Sequence, residues 1–400
     1  MKKKFLILVM LLLILSTIYA CNEKDVSLQV KELEPYIFDT ETITSIDYKF
    51  AESYFAKTND NWGGGCSCVA KVLPDGHMVL GRNMDLNISN KCAYIVHTNC
   101  KGKYKTVGTC YTFRDYSPDY NYVKENGLSS DFVKILPLIC DDILNEKGLF
   151  VEVNMRNAEC WPAGQDKFAC SGTNPNSKER VYMFGVSRYL AENCATVEEA
   201  VEYAKKLNVY SKDRYWNYCF MLADATGNYG LLEFCSNEVI WLPKQVGQTN
   251  FYINELANKI QDQKNGEGRL NTLKEGINKV NTKKDMFELI NKVSYFQFYD
   301  PINCKFDPRS ENIGTFAGAT YDFLMNPDYK NEILFLMDKY GEPIRNMSKE
   351  ELKNKNEYWQ SSFTEVIDCT EKSIFIRFFE NDNSKYKVTL DNIEKTDIIQ

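Results

Sequence analysis

The chain contains the stretch Gly63-Gly64-Gly65-Cys66-Ser67-Cys68 and, after a turn, the stretch Gly81-Arg82-Asn83-Met84-Asp85. Residues 69–72 and 77–81 flank a Pro-Asp-Gly turn at 74–76, a pattern that predicts a β-hairpin. The two strands of this hairpin would bring Arg82 near the strand start that holds Cys66. The hairpin is therefore where we predict the functional residues to lie.

Cys66 is the candidate nucleophile, because cleavage before it would give one residue both a thiol and an α-amine. A thiol needs a base, and an α-amine, whose unperturbed pKa is about 8, can serve as one. A guanidinium from Arg82 beside the thiol would lower the thiol pKa, and Asp85 could accept hydrogen bonds from the new α-ammonium. The alternative is an ordinary hairpin in which Arg82 and Asp85 form a surface ion pair.

A cysteine–histidine pair is the competing mechanism, and the chain has two histidines, His77 and His97. Neither lies in an asparagine or aspartate motif that suggests a papain-like arrangement, so both are interpreted as structural or surface residues. Cys68 would point to the same sheet face as Cys66. It is interpreted as apolar packing, because the spacing to Arg82 selects Cys66.

Composition excludes several classes of partner and site. The 400 residues carry a net charge of −7 without a basic stripe, which argues against a nucleic-acid partner. Fourteen cysteines are present, but the chain has no Cys-x-x-Cys pair and only two histidines, which argues against zinc sites. We expect most of these cysteines to be buried apolar residues, and the disulfide pattern stays open.

The N-terminus has the pattern of an export signal. Lys2-Lys3-Lys4 precede an apolar run from Phe5 to Leu15, which is short for a membrane-spanning helix. Ile18-Tyr19-Ala20-Cys21 resembles a bacterial lipobox, although its tyrosine is bulkier than that motif usually allows. Residues 1–21 are the predicted signal, and we expect an exported protein that is secreted, periplasmic or at the cell surface. Lipidation of Cys21, which would anchor the chain to a membrane, and plain cleavage are both open.

The rest of the chain divides into a short segment and one domain. Residues 22–65 are polar and acidic with weak periodicity and are predicted to be a pro-segment or linker, whereas residues 66–400 form the predicted domain. Hairpins in groups with helices between them favour an α+β fold over a parallel α/β sheet. The predicted elements are strands at 150–154, 220–223, 231–234, 374–378 and 386–390, and helices at 196–204, 270–280 and 286–293.

From Cys66 onward, the order of motifs resembles the choloylglycine hydrolase family, which includes bile salt hydrolases, penicillin V acylases and related linear-amide hydrolases of the N-terminal-nucleophile class. The matching elements are Cys66 with the turn at Asp75-Gly76, Arg82-Asn83-Met84-Asp85, Asn145-Glu146-Lys147-Gly148-Leu149, Asp224-Ala225-Thr226-Gly227 and Gly268-Arg269-Leu270. The resemblance implies an αββα sandwich, in which two stacked antiparallel sheets lie between helix layers.

The resemblance also implies a set of site residues. These are Cys66 as nucleophile, Arg82 and Asp85 as its supports, and Asn154, Asn250 and Arg269 around them. Asn154 matches the family's first asparagine, although one residue fewer precedes it than in bile salt hydrolases. Asn250, in Thr249-Asn250-Phe251, is the candidate oxyanion donor, and Asn254 is a nearby rival. For either asparagine of the motif, the alternative is an amide that caps the backbone.

The activity implied by the resemblance is hydrolysis of a non-peptide linear amide, such as a conjugated bile acid or a related N-acyl amide, without a metal or organic cofactor. Because 65 residues precede Cys66, the chain would need a proteolytic or autoproteolytic cut between Gly65 and Cys66. The alternatives are a penicillin V acylase or acyltransferase-like enzyme, and a non-catalytic exported binding lipoprotein. The expected partner is a small-molecule acyl amide substrate. The acyl and amine specificity of the substrate, and whether the chain forms a homo-oligomer, stay open.

Overall fold

The structure is a computed structural model. It describes residues 28–55, 64–87, 92–111, 118–155, 172–211, 218–255, 266–294, 299–300, 305–306, 359–379, 382–397 and 399. The predicted export signal lies outside these residues. Within them, no helix is both long enough and apolar enough to cross a membrane.

Most of the strands form two large sheets. The nine-stranded sheet has the order β1-β2-β5-β6-β7-β8-β11-β12-β13, and the seven-stranded sheet has the order β14-β3-β4-β17-β18-β19-β20. Neighbouring strands in both sheets are antiparallel except for β2 and β5, which are parallel. The strands of the nine-stranded sheet are Val30–Glu34 (β1), Ile37–Thr40 (β2), Ala93–Thr98 (β5), Thr106–Tyr111 (β6), Asp142–Asn145 (β7), Phe150–Met155 (β8), Tyr218–Ala223 (β11), Tyr229–Cys235 (β12) and Glu238–Pro243 (β13). Those of the seven-stranded sheet are Gly64–Val72 (β3), Met78–Asn87 (β4), Gly247–Gln248 (β14), Trp359–Asp368 (β17), Ser373–Phe378 (β18), Lys385–Thr389 (β19) and Ile393–Lys395 (β20).

Helices cover the outer face of each sheet. The described α-helices are Tyr48–Phe55 (α1), Tyr120–Asn126 (α2), Ser130–Ile135 (α3), Val186–Asn193 (α4), Val197–Ala204 (α5), Glu267–Gly276 (α6) and Lys283–Asn291 (α7). Short 3-10 helices occupy Leu136–Ile139, Met183–Gly185 and Ile277–Lys279. Two small two-stranded sheets pair Arg180–Tyr182 (β9) with Asn208–Tyr210 (β10), and Tyr299–Asp300 (β15) with Lys305–Phe306 (β16).

Three apolar layers hold this arrangement together. The first lies between the nine-stranded sheet and helices α1 to α5, and includes Phe132 and Leu190. The second lies between the two sheets and includes Cys66 and Phe363. The third lies between the seven-stranded sheet and helices α6 and α7. The predicted α+β class and αββα order are therefore confirmed.

The hairpin of β3 and β4 is formed as the sequence predicts. It pairs Cys66 with Met84 and Cys68 with Arg82, and both cysteines face the layer between the sheets. On the opposite face of β4, a Cβ at Gly81 would lie 3.1 Å from atoms of Ile290 in α7. A glycine at this position lets the helix pack closely on the strand.

The other predicted elements are also present, with small shifts at their ends. Thr196 caps α5 by accepting from the backbone N–H of Glu199. The Glu199 carboxylate accepts from the backbone N–H of Ala195. Of the cysteines in the described residues, ten are free and nine of these are buried, as expected for apolar packing residues.

The segment predicted as a pro-segment or linker, 22–65, contains regular structure where it is described. Its strand β2 extends the nine-stranded sheet by pairing with β5, and its helix α1 buries Ala51 in the first apolar layer. Glu34 of β1 accepts hydrogen bonds from Ser384 and Tyr386 of the other sheet. The segment is therefore packed on both sheets, and the domain boundary before Cys66 stays a prediction.

Candidate active site

Cys66 lies near the start of β3, on the strand face that points between the sheets. Its backbone N–H donates to Asn250 Oδ1 at 3.0 Å, and its backbone oxygen accepts from Arg269 Nη1 at 2.9 Å. The residue is 4% exposed, and its Sγ lies 3.6 Å from Met84 Sδ. Two residues that the sequence predicts for the site thus hold both backbone groups of the candidate nucleophile.

Arg269 connects the groups around Cys66. It extends from the first turn of α6, where its Nη1 lies 2.8 Å from Ser67 Oγ and 3.3 Å from Asp85 Oδ2, and its Nη2 lies 2.8 Å from Asn250 Oδ1. A planar guanidinium with five N–H donors can hold several acceptors in a fixed arrangement. The preceding Gly266 has a φ of 88°, and a Cβ there would lie 2.7 Å from Arg269 Nη2. Arg269 therefore stabilises the start of β3 by binding Cys66, Ser67 and Asp85 together.

Asp85 and Arg82 are fully buried and do not pair with each other, so the alternative of a surface ion pair is wrong. They lie on opposite faces of β4, because residues an odd number apart alternate in a strand. Asp85 accepts from Ser361 Oγ at 2.5 Å, in addition to its contact with Arg269. This places the Asp85 carboxylate on the side of the sheet from which α6 approaches.

Arg82 points instead into the layer between the sheets. Its Nε lies 3.1 Å from Asp142 Oδ1 and 3.0 Å from Glu152 Oε1, and its Nη2 donates to Val153 O at 3.1 Å. Its guanidinium also lies 5.8 Å from the centre of the Phe363 ring. Arg82, which belongs to the seven-stranded sheet, therefore binds Asp142 and Glu152 of the nine-stranded sheet in the layer that also contains Cys66.

Asn154 belongs to the nine-stranded sheet, and Asn250 follows β14, an edge strand of the seven-stranded sheet. Asn154, in β8, donates through Nδ2 to Thr249 O at 3.5 Å, and its buried Oδ1 has no hydrogen-bond partner among the described residues. Asn250 follows β14 and donates through Nδ2 to Met155 O at 2.9 Å, while its Oδ1 faces Cys66. Asn250 is thus in direct contact with the nucleophile, whereas Asn154 contacts Thr249, the residue before Asn250.

Asn254, the predicted rival of Asn250, is engaged elsewhere. Its side chain donates to Glu233 Oε2 at 2.8 Å, and the same carboxylate accepts from the backbone N–H groups of Ile253 and Asn254. This arrangement anchors the chain after β14 to β12. Of these two asparagines, Asn250 is therefore the one whose side chain contacts Cys66.

The thiol of Cys66 is protonated at neutral pH in the intact chain. Burial raises its pKa to about 11, and the positive charge of Arg82 opposes that rise. Burial raises the pKa of the Cys68 thiol well above its ordinary value, with Glu152 adding to the rise. A base is needed before either thiol can act as a nucleophile.

Both histidines bind carboxylates away from Cys66. His77 Nδ1 lies 2.8 Å from Asp368 Oδ2, at the turn end of the hairpin, and His97 Nε2 lies 3.2 Å from Asp39 Oδ1. A cysteine–histidine pair is therefore not formed by the described residues. Among those same residues, one group has the ligand types for a cation, namely His77, Asp368 and Glu371. The Lys283 ammonium already contacts both of its carboxylates, at 3.3 and 3.0 Å.

Several buried polar residues around the site were missed by the sequence interpretation. Glu152 and Glu365 lie on strand faces that otherwise carry apolar residues of the inter-sheet layer, such as Phe150 and Phe363. A glutamate that interrupts the apolar side of a strand is an available signal, because a carboxylate is rarely buried without a partner. Ser361 gives no comparable signal, since serine is common on either face of a strand.

The Cys66 thiol, the Arg269 guanidinium and the polar side chains that contact them lie together in one buried site. The Gly65–Cys66 peptide lies within β3, where Gly65 pairs with Asp85. A cut at that peptide would leave the new amine of Cys66 at the position that now donates to Asn250 Oδ1. The geometry can therefore hold an N-terminal amine beside a thiol and the amide oxygen of Asn250.

The sequence model of one protein family matches more than half of the chain. The family is described as acyl-coenzyme A:6-aminopenicillanic acid acyl-transferase, and the match covers residues 72–323. The matched range contains five of the six predicted site residues and begins six residues after Cys66. No curated protein is significantly similar to the chain.

Among the solved structures that resemble the chain are two at low identity. A mutant of conjugated bile acid hydrolase from Clostridium perfringens is 13% identical, with a TM-score of 0.41, and the similarity covers 83% of this chain and 96% of that one. Penicillin V acylase from Agrobacterium tumefaciens is 12% identical, with a TM-score of 0.40, and covers 82% of this chain and 87% of its own. The resemblance inferred from the motifs is confirmed by the family match.

Proposed function

Because this chain belongs to the acyl-coenzyme A:6-aminopenicillanic acid acyl-transferase family, we propose that it is an exported hydrolase of non-peptide linear amides. In this proposal the nucleophile is Cys66, which a cut after Gly65 turns into the N-terminal residue. The substrate is a conjugated bile acid or a related N-acyl amide. The protein needs no metal or organic cofactor for this reaction.

The observation that carries the proposal is the way three distant segments meet at Cys66. Asn250 and Arg269 bind its backbone N–H and carbonyl groups, and Arg269 also binds Asp85. Every one of these groups is at least 96% buried. A binding protein has no need for a buried thiol held in this way, which counts against the non-catalytic alternative.

The proposed reaction has two stages. First, the α-amine of Cys66 takes the thiol proton, the sulfur bonds to the substrate carbonyl carbon, and the carbon–nitrogen bond breaks as the ammonium returns the proton to the leaving amine. Water then attacks the thioester, releasing the carboxylic acid and restoring the thiol. Asn250 Nδ2 and a backbone N–H stabilise the oxyanion in each stage, for which Nδ2 must exchange its bond to Met155 O for the substrate oxygen.

A penicillin V acylase or acyltransferase-like enzyme remains the second candidate, and the acyl-transferase name of the family supports it. The two candidates share the chemistry and differ in the acyl acceptor and the acyl group. Release of amine from glycocholate, taurocholate, penicillin V and a long-chain N-acyl amide should be measured side by side with protein whose N-terminus is Cys66. Turnover of one conjugate class assigns the substrate, whereas release from none of the four leaves the binding lipoprotein as the better proposal.

We expect purified active protein to contain a chain that begins at Cys66. The reason is that the α-amine is the only base the proposed mechanism supplies, so an intact Gly65–Cys66 peptide leaves the thiol protonated. Intact-mass measurement of the active protein checks this. An active protein in which residues 64–65 are still joined to Cys66 would contradict the free-amine mechanism.

The cut should leave the N-terminal segment bound to the domain. β2 pairs with β5 through Ile37–Asp39, and Tyr48 of α1 donates a hydrogen bond to Glu192 of α4. Ala51 and Phe38 are buried in the same apolar layer. We therefore expect both pieces to elute together in gel filtration and to separate only in denaturant; elution of the piece from 66 onward by itself would contradict this.

Arg269→Lys should lower kcat while leaving KM nearly unchanged. A lysine keeps the positive charge near Asp85 but cannot reach Cys66 O, Ser67 Oγ and Asn250 Oδ1 together, as the guanidinium does. We expect a loss of about tenfold in kcat, equivalent to about 1.4 kcal/mol. A rise in KM alone would instead indicate that Arg269 binds an acidic group of the substrate.

A further inference from the structure

Five buried charged residues form what we call the acid cluster: Arg82, Asp141, Asp142, Glu152 and Glu365. It lies in the layer between the two sheets that also contains Cys66. Arg82 and Glu365 are cross-strand partners in the seven-stranded sheet, and Asp142 and Glu152 are cross-strand partners in the nine-stranded sheet. The two pairs face each other across the inter-sheet layer, and each of the five residues is at most 2% exposed.

The charges in the acid cluster do not balance. Full ionisation would place four carboxylates around one guanidinium, leaving three negative charges without a cation inside the cluster. Uncompensated charge in a dry interior is far more costly than protonation, so buried carboxyls bind protons instead. Burial accordingly raises the pKa of Asp141 and of Glu365 well above the ordinary values of these groups.

The contact between Asp142 and Glu365 locates one of these protons. The carboxyl of Asp142 hydrogen-bonds to that of Glu365. Thr109 also hydrogen-bonds to the Glu365 carboxyl, whereas Asp142 Oδ2 is buried and no donor from the other described residues reaches it. Two carboxylates only accept, so a hydrogen bond between them requires that one be protonated. The guanidinium of Arg82 lies against Asp142 Oδ1 and favours the ionised form of Asp142, which makes Glu365 the donor.

We propose that Glu365 is protonated at neutral pH, donates to Asp142, and is a positioning residue for Arg82. With this proton in place, Asp142 is held between Arg82 Nε and Glu365 Oε–H, and the guanidinium stays where Met84 and Val153 also contact it. Loss of the proton would add a negative charge beside Arg82 and reduce the positive field that Cys66 receives. The inference depends on the proposed function only for the consequence at Cys66.

The charged groups that face Glu365 come from three strands. They are Arg82 on β4, Asp142 on β7 with Asp141 just before it, and Glu152 on β8 beyond Arg82. The charges of Arg82 and Glu152 also act on the pKa values of the Cys66 and Cys68 thiols on β3. Because an acid whose pKa is raised by folding contributes stability at low pH and loses it as the pH rises, Glu365 should make the folded state less stable at alkaline pH.

The test compares Glu365→Gln with Glu365→Leu, both made in full-length protein. Glutamine keeps a donor to Asp142 but has no proton to lose, whereas leucine fills similar space without a donor. We expect the Tm of Glu365→Gln minus the Tm of wild type to increase by a few degrees as the pH rises from about 5 to about 8. A Tm difference that is the same at every pH would overturn the proposal, because packing alone is independent of pH.

Two further measurements do not require amide hydrolysis. The wild-type-minus-Glu365→Gln infrared difference spectrum at neutral pH should contain the carbonyl band of a protonated carboxyl; a carboxylate band in its place would overturn the proposal. Iodoacetamide should alkylate Cys66 at similar rates in wild type and Glu365→Gln, and severalfold more slowly in Glu365→Leu. Equal slowing in both variants would show that the donor to Asp142 does not matter. If these results hold and no amide is cleaved, the proposed function fails while the positioning role stands.

Discussion

Cys66→Ala should abolish amide hydrolysis, whereas Cys68→Ala should retain most of it. Loss of a nucleophile in enzymes that work through a covalent intermediate lowers kcat by a factor of the order of 10⁶. Both thiols face the layer between the sheets, so sheet geometry by itself does not distinguish them. The difference is that Asn250 and Arg269 bind the backbone of Cys66.

The register of the hairpin makes this comparison informative. Cys68, rather than Cys66, is the direct cross-strand partner of Arg82, and it is completely buried. We expect Cys68→Ala to lower the free energy of unfolding by about 1 kcal/mol, as a typical buried substitution does. Steady-state kinetics of both variants, with the melting temperature as a control for folding, measure the two effects separately. Full loss of activity in Cys68→Ala with normal melting would show that the nucleophile is Cys68.

The same pair of variants reports on the cut before Cys66. If the thiol of Cys66 itself attacks the Gly65 carbonyl, Cys66→Ala should stay uncut and Cys68→Ala should be processed normally. If another protease makes the cut, both variants should be processed. Intact-mass measurement of the purified variants distinguishes the two routes, and both are compatible with Cys66 as the nucleophile in hydrolysis.

Asn250→Ala is expected to lower kcat by about 10² to 10³, the usual effect of removing one oxyanion donor. The matched control is Asn254→Ala, because Asn254 lies four residues away and its side chain donates to Glu233. We expect Asn254→Ala to reduce stability through the loss of that anchor and to change kcat much less. Measurement of kcat and Tm for both variants tests the choice between the two asparagines.

A third variant separates two roles of Asn250. In the intact chain its Oδ1 accepts from Cys66 N and from Arg269, so Asn250 could act by orienting the amine rather than by binding the oxyanion. Asn250→Asp keeps an acceptor for the amine but has no N–H to donate to the oxyanion. We expect Asn250→Asp to be as impaired as Asn250→Ala. Near-normal kcat in Asn250→Asp would contradict the oxyanion role and favour orientation of the amine.

Much of the fold follows from local patterns in the sequence. A Pro-Asp-Gly turn between apolar stretches predicts the hairpin of β3 and β4, and the alternation at 150–154 and 374–378 predicts strands that the structure contains. These elements are formed by neighbours in the chain, so propensity and periodicity describe them well. The polar segment 22–65 lacked such periodicity, and its strands β1 and β2 are stabilised by contacts with distant parts of both sheets.

The candidate site divides in the same way. The sequence by itself determined that Cys66, Arg82 and Asp85 share one hairpin, because turn chemistry and strand alternation act over a few residues. Only the tertiary structure decided that Arg82 and Asp85 face opposite sides of the sheet with different partners, and that Glu365, 283 residues after Arg82, is its neighbour in β17. Long-range strand pairing and the burial of charge depend on the whole packed molecule, so no local pattern specifies which carboxyl meets which guanidinium or where a proton must be retained.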